Sequence, residues 1–180
     1  MLKIKEILHQ QAPNTREVDF YVPVKVEFPE NDDGKSELLH YRLMNTDASF
    51  LELSVNVATG KFTSITLVSV NAIENAPCTI EDAFPPMETG NPIVDMETSF
   101  EKPVTTAHMD ISLYWGNRCI YALWGQERAM RQIALGGVRL LIDAQNDLAG
   151  VVFHGFSEAE WEEVGAGVLC AMQNAQPVGG

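Results

Sequence analysis

The stretch that decides the fold runs from residue 138 to residue 164 and reads VRLLIDAQNDLAGVVFHGFSEAEWEEV. Two apolar segments, 138–142 and 148–156, flank the polar residues 143–147. Apolar runs of this length on both sides of a short polar segment predict a β-hairpin. The hairpin leads directly into a helical pattern, so the stretch by itself predicts an α+β domain.

The helical pattern begins with a capping box, because Ser157 is followed three residues later by Glu160. Apolar residues then recur at helical spacing, at Trp161, Val164, Val168 and Met172. Gly165 and Gly167 each weaken a helix by about 1 kcal/mol relative to Ala, so this helix is expected to depend on packing. Residues 173–180 are expected to form a disordered tail.

Alternating apolar and polar residues predict further strands upstream. In residues 18–28 the even positions are apolar, and Pro23 on the opposite face predicts a sheet edge or a bulge. Three more runs follow, at 39–43, 51–57 and 62–70. The Gly-containing segment 58–61 predicts a hairpin connection. Because parallel strands would need long helical crossovers that are absent, we expect an antiparallel meander.

The middle of the chain shows no sustained period. Residues 71–101 include four prolines, which predicts a long irregular loop of the kind that tends to be functional. Strands are expected again at 109–115 and 118–124, joined by a turn at Gly116 and Asn117. The overall prediction is one globular domain over residues 1–172, formed mainly by antiparallel β-sheet with the C-terminal helix packed on it.

Composition excludes several classes of protein. The chain has 180 residues and is 46% hydrophobic, which is too apolar for a disordered chain and long enough for a self-sufficient core. A formal net charge of −13 argues against binding to nucleic acid or to an anionic membrane. There is no apolar stretch that predicts a signal peptide or a membrane span. The three cysteines fit no disulfide framework and suggest reduced thiols, so a cytoplasmic location is expected.

Motifs for catalysis or cofactor binding are absent from the sequence. It has no G-x-S-x-G elbow, no P-loop and no G-x-G-x-x-G. Cys119 lies in a strand pattern and is interpreted as a buried, inert thiol. His108 and Asp110 are expected on one face of a strand, roughly 6 to 7 Å apart, a spacing that can suit metal ligands. Convergence of these two with His154 stays open, and neither a metal nor a cofactor is predicted.

The negative charge is concentrated in two stretches. Seven acidic residues and no Lys or Arg lie between Lys61 and Lys102, and six more acidic residues without compensation follow Arg139. Together they equal the whole net charge. This excess is explained either by solubility and the helix dipole, or by an acidic surface that docks a basic protein. The candidate partner-binding residues are Glu81, Asp82, Asp143, Asp147, Glu158, Glu160, Glu162 and Glu163.

Two segments, LELSVNVATGKFTSITLV at 51–68 and the stretch at 138–164, give the chain a family resemblance. The chain resembles small bacterial immunity proteins of polymorphic or contact-dependent toxin systems, over residues 36–70 and 106–165. The resemblance implies an acidic cytoplasmic α+β domain that binds and blocks a cognate toxin, such as a basic nuclease. It carries no site residue over to this chain.

Two other functions are compatible with the sequence. The first is a small-ligand-binding or enzymatic β-rich domain, with a pocket under the loop 71–101 and polar groups supplied by His108, Asp110 or His154. The second is a subunit of a homo-oligomer without chemistry of its own.

Overall fold

In the computed structural model the chain is mostly β-sheet, with one long helix at its C-terminal end, which agrees with the expected α+β class. The residues described are 1–10, 13–29, 37–100, 102–124 and 129–174, with 169–174 described by their backbone alone. The strands in chain order are β1 (Ile4–Leu8), β2 (Thr15–Glu17), β3 (Val24–Glu27), β4 (Leu38–Met44), β5 (Phe50–Asn56), β6 (Phe62–Ser69), β7 (Glu74–Asn75), β8 (Met87–Thr89), β9 (Asn91–Val94), β10 (Val104–His108), β11 (Ile111–Gly116), β12 (Cys119–Trp124), β13 (Arg131–Leu135), β14 (Val138–Ile142) and β15 (Leu148–Phe153). The helices are α1 (Met96–Ser99) and α2 (Glu158–Asn174), and a 3-10 turn covers Ile80–Ala83.

The strands of the described residues form two large sheets and a ribbon. The six-stranded sheet has the spatial order β10-β4-β5-β6-β3-β2, and the seven-stranded sheet has the order β7-β11-β12-β15-β14-β13-β8. Strands β1 and β9 pair separately as the two-stranded ribbon. Most neighbours are antiparallel, but β10 lies parallel to β4, β7 to β11 and β8 to β13. The sequence argument against parallel pairs is therefore wrong at these edges, because each parallel partner returns after a long excursion of chain instead of a helical crossover.

The predicted hairpins are present in both large sheets. β14 and β15 pair antiparallel on either side of residues 143–147, and β5 and β6 pair across residues 58–61. β11 and β12 are joined by Asn117 and Arg118, which both have positive φ, 52° and 55°. Two such residues are typical of a type I′ turn, whose twist matches that of the strands. The turn is thus one residue later in the chain than the sequence predicted.

The alternating run 18–28 does not form one continuous strand. Its second half becomes β3, in which Val24 and Val26 are fully buried. Its first half is the tip of the hairpin that connects β2 to β3, and there Phe20 is 50% exposed. Pro23 precedes β3, which lies between β6 and β2 and is not an edge strand. Alternation was a misleading signal here because a hairpin tip can expose the same apolar residues that a strand would bury.

The sequence predicted that the segment 71–101 is an irregular loop, but the structure shows regular elements in it. It contains β7, the 3-10 turn, β8, β9 and α1, and Glu101 lies outside the described residues. Each of its strands has two to four residues and pairs with a strand far away in the chain. Strands this short are too brief to produce a recognisable alternation, so only tertiary pairing reveals them.

Helix α2 closes one end of a core shared by the two large sheets. The capping box is confirmed, because the Ser157 N–H donates to Glu160 Oε2 at 2.7 Å and the Glu160 N–H donates to Ser157 Oγ at 3.3 Å. Val164 and Val168 are buried and belong to the same apolar core as buried residues of both sheets. α2 extends to Asn174, two residues into the predicted tail, and residues 175–180 lie outside the described residues. The side chain of Met172 is likewise not described.

Strand β15 runs between two ends of the seven-stranded sheet, and the candidate site residues are located relative to these ends. At its start, which we call the ribbon end, the Ile4 N–H donates to the carbonyl of Asn146 at 2.8 Å, so the ribbon β1–β9 packs against residues 143–147. At its finish, which we call the helix end, the His154 N–H donates to the carbonyl of Gly137 at 3.1 Å and α2 begins. The six residues of β15 separate these ends by about 20 Å.

Candidate protein-binding surface

Arg16, in β2, attaches the β2–β3 hairpin to the helix end. Its Nε and Nη2 donate to both carboxylate oxygens of Glu160, at 3.0 and 2.9 Å. Its Nη1 donates to the carbonyl of His154 at 2.7 Å, and Nη2 also donates to the carbonyl of Gly155 at 2.6 Å. The guanidinium lies 4.6 Å from the ring centroid of Phe156. Arg16 therefore clamps the hairpin, the chain after β15 and α2 to one another.

Glu160 is already engaged within the molecule. The hydrogen bonds from Arg16 lower the pKa of Glu160 to about 2, with a further contribution from the backbone of Ser157. Its carboxylate is thus ionised at neutral pH, and both of its oxygens have partners. Glu160 can support a binding surface by holding it in place, while its own charge is largely neutralised by Arg16.

The tip of the β2–β3 hairpin carries two exposed aromatic side chains. Tyr21 is 83% exposed and Phe20 is 50% exposed, and no other aromatic residue among those described is exposed. The two rings contact each other edge to face, with centroids 5.4 Å apart. Asp19 fixes the turn, because its Oδ1 accepts from the Tyr21 N–H at 2.7 Å and its N–H donates to the carbonyl of Val22 at 3.2 Å.

The tip packs beside the acidic, exposed side of α2. The carbonyl oxygen of Phe20 lies 3.5 Å from the position that a Cβ would take at Gly167, so the helix is approached closely at a residue without a side chain. Glu163 is one helical turn before Gly167 and lies on the same side of α2. Glu162 and Glu163 are both exposed. We refer to Phe20, Tyr21, Glu162 and Glu163 as the tip–helix surface.

A second polar cluster lies on the face of the seven-stranded sheet that points away from the main core. Arg139 donates from Nη2 to Glu81 Oε1 at 2.7 Å and from Nη1 to Glu81 Oε2 at 3.2 Å. The Tyr121 hydroxyl donates to the same Glu81 Oε1 at 2.8 Å. Nη2 also reaches Cys119 Sγ at 3.5 Å. Glu81 belongs to the 3-10 turn, so these bonds hold that turn over the sheet.

The chemistry of this second cluster is that of a neutral thiol and a neutral imidazole. Burial raises the pKa of Cys119, although Arg139 acts in the opposite direction. Burial, followed by the charge of Arg139, lowers the pKa of His154. The hydrogen bonds from Arg139 lower the pKa of Glu81. A buried, protonated thiol is a poor nucleophile, so the cluster favours a structural role, and the interpretation of Cys119 as buried is confirmed.

The lowered pKa of His154 predicts a loss of stability in mild acid. Above pH 6.5 the imidazole is neutral in both states, whereas below pH 6.5 the unfolded chain takes up a proton that the folded protein resists. The free energy of unfolding should therefore fall with pH below 6.5, by at most about 1.4 kcal/mol per pH unit from this residue. Urea denaturation between pH 7.5 and 5 measures it, and His154→Gln should have a shallower pH dependence. Equal slopes for the two proteins would contradict the prediction.

The eight acidic residues predicted to bind a partner do not lie on one surface. Glu158, Glu162 and Glu163 are exposed on the first two turns of α2, and the Glu158 side chain is 81% exposed, 3.8 Å from Arg118 Nη2. Asp143 and Asp147 lie at the ribbon end, about 20 Å away along β15. The carboxylate of Asp143 accepts from two backbone N–H groups of its own turn, at 2.8 and 2.9 Å.

Glu81 and Asp82 form a third location, in the 3-10 turn above the outer face of the seven-stranded sheet. Glu81 is neutralised by Arg139, whereas Asp82 is exposed. Three residues of the predicted set lie on α2 at the helix end and have no close bidentate partner. They are Glu158, Glu162 and Glu163.

The prediction that His108 and Asp110 lie on one face of a single strand is wrong. His108 ends β10 in the six-stranded sheet, and Asp110 precedes β11 in the seven-stranded sheet, so the two residues do not share a strand face. His154 lies at the helix end, while β11 begins at the ribbon end, where Ile111 pairs with Trp124. Asp110 and His154 are thus at opposite ends of the sheet. Within the described residues, no group of three or more His, Cys, Asp or Glu side chains is placed to hold a metal ion.

Two surface pockets include residues of the segment 71–101. One, of about 200 Å³, lies where β7 meets β11, and the other, of about 360 Å³, lies beside β9 and the hairpin at 58–61. Neither is lined by His108, Asp110 or His154. The polar groups that the sequence suggested for a ligand pocket are therefore located elsewhere.

Comparisons with known proteins do not assign this chain to a family. A comparison with protein-family models found no matching model, and a comparison with curated proteins found no matching sequence. In the part of the chain that the structure describes, no helix has both the length and the apolar character needed to span a membrane.

The aromatic tip was missed by sequence reasoning. The alternating pattern predicts a buried strand face for Phe20, and no motif in the sequence singles out Arg16. A signal was present in the turn-forming residues Asp19 and Pro23, which flank the tip and interrupt the apparent strand.

Proposed function

We propose that this protein is an immunity-type inhibitor that acts in the cytoplasm by binding a basic toxin, such as a nuclease, and covering the surface through which the toxin acts. The observation that carries the proposal is the exposed acidic side of α2, at Glu158, Glu162 and Glu163. The helix is anchored to the six-stranded sheet by the bond of Glu160 to Arg16 and to the seven-stranded sheet by the stack of Trp161 on Trp115. Such a surface attracts a positively charged protein and repels nucleic acid.

The anchoring of α2 supports recognition by a preformed surface. Trp161 stacks on Trp115 with ring centroids 5.4 Å apart, and Val164 and Val168 are buried in the core. The acidic side chains are therefore presented on a backbone that is ordered before binding, which lowers the entropic cost of association. For the alternative of an enzyme, the buried and protonated thiol of Cys119 is a poor nucleophile.

The test uses the protein encoded by the reading frame adjacent to this one. We expect that protein to arrest growth when it is expressed alone, and co-expression of this chain to restore growth. Purified, the two proteins should associate with a rate that falls steeply as ionic strength rises. A toxic neighbour that is neither bound nor neutralised would refute the proposal.

Charge reversal on α2 tests whether the partner contacts this helix. Glu162→Lys/Glu163→Lys should lower the association rate constant by about tenfold or more at low salt, because complementary charge mainly accelerates encounter. The matched control is Glu6→Lys/Glu97→Lys, which makes the same change of charge at exposed residues of β1 and α1. Stopped-flow or surface-plasmon measurements compare them. Equal effects of the two variants would mean that net charge, and not this surface, determines the encounter.

A further inference from the structure

Phe20 and Tyr21 expose large apolar side chains to solvent, and this exposure does not stabilise the folded protein. Tyr21, at 83% exposure, contributes little to the core, and its ring lies edge to face against the half-exposed ring of Phe20 at the hairpin tip. Tyr and Phe are enriched in the centres of protein interfaces, where they bury a large area and lose few side-chain rotations. An exposed aromatic pair on one tip therefore indicates a surface that is covered in a complex.

The tip is also held in a defined position. Asp19 orders the turn through two hydrogen bonds. Arg16 fastens the base of the hairpin with two hydrogen bonds to Glu160 of α2 and two to the carbonyls of His154 and Gly155, which precede the helix. The carbonyl oxygen of Phe20 lies within van der Waals reach of α2 at Gly167. Anchors that are rigid before binding give more affinity for the same buried area.

The charges around the tip identify the occupant. Asp19 is in the tip, Glu17 is exposed in β2, and Glu162 and Glu163 are exposed on the adjacent α2. The two basic residues nearest in the chain are both paired with a carboxylate, Arg16 with Glu160 at 2.9 Å and Lys25 with Glu27 at 2.5 Å. A second copy of this chain would bring the same acidic rim against itself, and an anionic lipid or nucleic acid would be repelled, so the rim favours a basic protein.

We infer that Phe20 and Tyr21 are the apolar anchors of the interface with the basic partner, and that Glu162 and Glu163 form its acidic rim. The inference rests on the proposed function and adds to it the residues that supply most of the affinity. The partner should offer an apolar pocket framed by Lys and Arg. The aromatic tip is then expected to determine the dissociation rate constant of the complex, and the acidic rim to determine the association rate constant.

The test compares Phe20→Ser/Tyr21→Ser with the matched control Met87→Ser/Met130→Ser. The control removes two other exposed apolar side chains, 59% and 58% exposed, near β8 and β13 of the seven-stranded sheet. The probe is again the product of the adjacent reading frame. We expect the tip variant to dissociate at least about 100-fold faster with an unchanged dependence of the association rate on salt, and the control to stay within about threefold of wild type.

The outcomes separate this inference from the function on which it rests. If wild type binds and neutralises the probe and the tip variant dissociates as slowly as wild type, the tip inference is overturned while the proposed function stands. If wild type neither binds nor neutralises a toxic probe, the proposed function fails and the inference with it. Should the double variant lose its fold by circular dichroism, Tyr21→Ser replaces it, with an expected loss of at least about tenfold.

Discussion

Replacing Arg16 with Ala is expected to lower the free energy of unfolding by about 3 kcal/mol, the largest effect that we predict for a single substitution. The Arg16 side chain is only 14% exposed and satisfies Glu160 and two backbone carbonyls at once. Alanine takes the guanidinium donors away from both backbone carbonyls and leaves the Glu160 carboxylate with the Ser157 N–H, in a partly buried site. It also removes the contact with the Phe156 ring.

Urea denaturation of wild type, Arg16→Ala, Glu160→Ala and the double variant measures this effect and its origin. A coupling free energy above about 1 kcal/mol between the two residues is expected for a bidentate pair. Arg16→Lys is the conservative control and should recover only part of the loss, because one ammonium group cannot reproduce the fork of donors. A loss below about 1 kcal/mol for Arg16→Ala would show that the hairpin is held by other contacts.

The same pair predicts a separate acid-dependent step. The folded-state pKa of Glu160, lowered to about 2 from an ordinary value of 4.5, means that the pair stabilises the fold fully above pH 4.5. That contribution is lost as the pH falls from 4.5 towards 2, where the folded state also becomes protonated. Arg16→Ala should lack this step, which distinguishes it from the loss below pH 6.5 assigned to His154.

Replacing Arg139 with Met is expected to lower the free energy of unfolding by about 2 kcal/mol and to loosen the 3-10 turn Ile80–Ala83. The Arg139 side chain is 11% exposed and joins Glu81 of that turn to the outer face of the sheet. Without it, Glu81 keeps only the Tyr121 hydroxyl as a side-chain partner among the contacts described. The effect is smaller than that for Arg16 because the Glu81 side chain is 44% exposed and can be hydrated.

Hydrogen exchange and thiol labelling detect the loosening of the turn. The amide of Phe84, which donates to the carbonyl of Glu81 at 3.0 Å, should exchange faster in Arg139→Met. Cys119, 7% exposed under the turn, should react faster with a thiol reagent than in wild type, while Cys78, which is exposed, serves as the internal control. Glu81→Gln/Arg139→Met should be more stable than the single Arg139 variant, since it removes the unpaired charge. Unchanged labelling of Cys119 would argue against a role of Arg139 in holding the turn.

The local sequence pattern correctly predicted those strands and helices that pack against elements close to them in the chain. The hairpin of β14 and β15, the meander of β4, β5 and β6, and the capped start of α2 all depend on residues within about 25 positions of one another. Alternation and turn residues are sufficient there, because the burial of one face and the geometry of the turn are local properties. The parallel edge strands β7, β8 and β10 pair with distant strands, and their sequences show no feature that encodes those partners.

The sequence by itself determined the charge, the α+β class, the main hairpins and the capped helix of this protein, because composition, alternation and capping are read from neighbouring residues. Only the tertiary structure decided which acidic residues are neutralised by an arginine. Glu160 and Glu81 look like Glu162 and Glu163 in the sequence, yet Arg16 and Arg139, each more than 50 residues away, neutralise the first two. The hairpin tip also depends on tertiary structure. Phe20 fits the alternating pattern of a buried strand residue, but in the structure it lies in the tip of a hairpin, where its side chain is exposed.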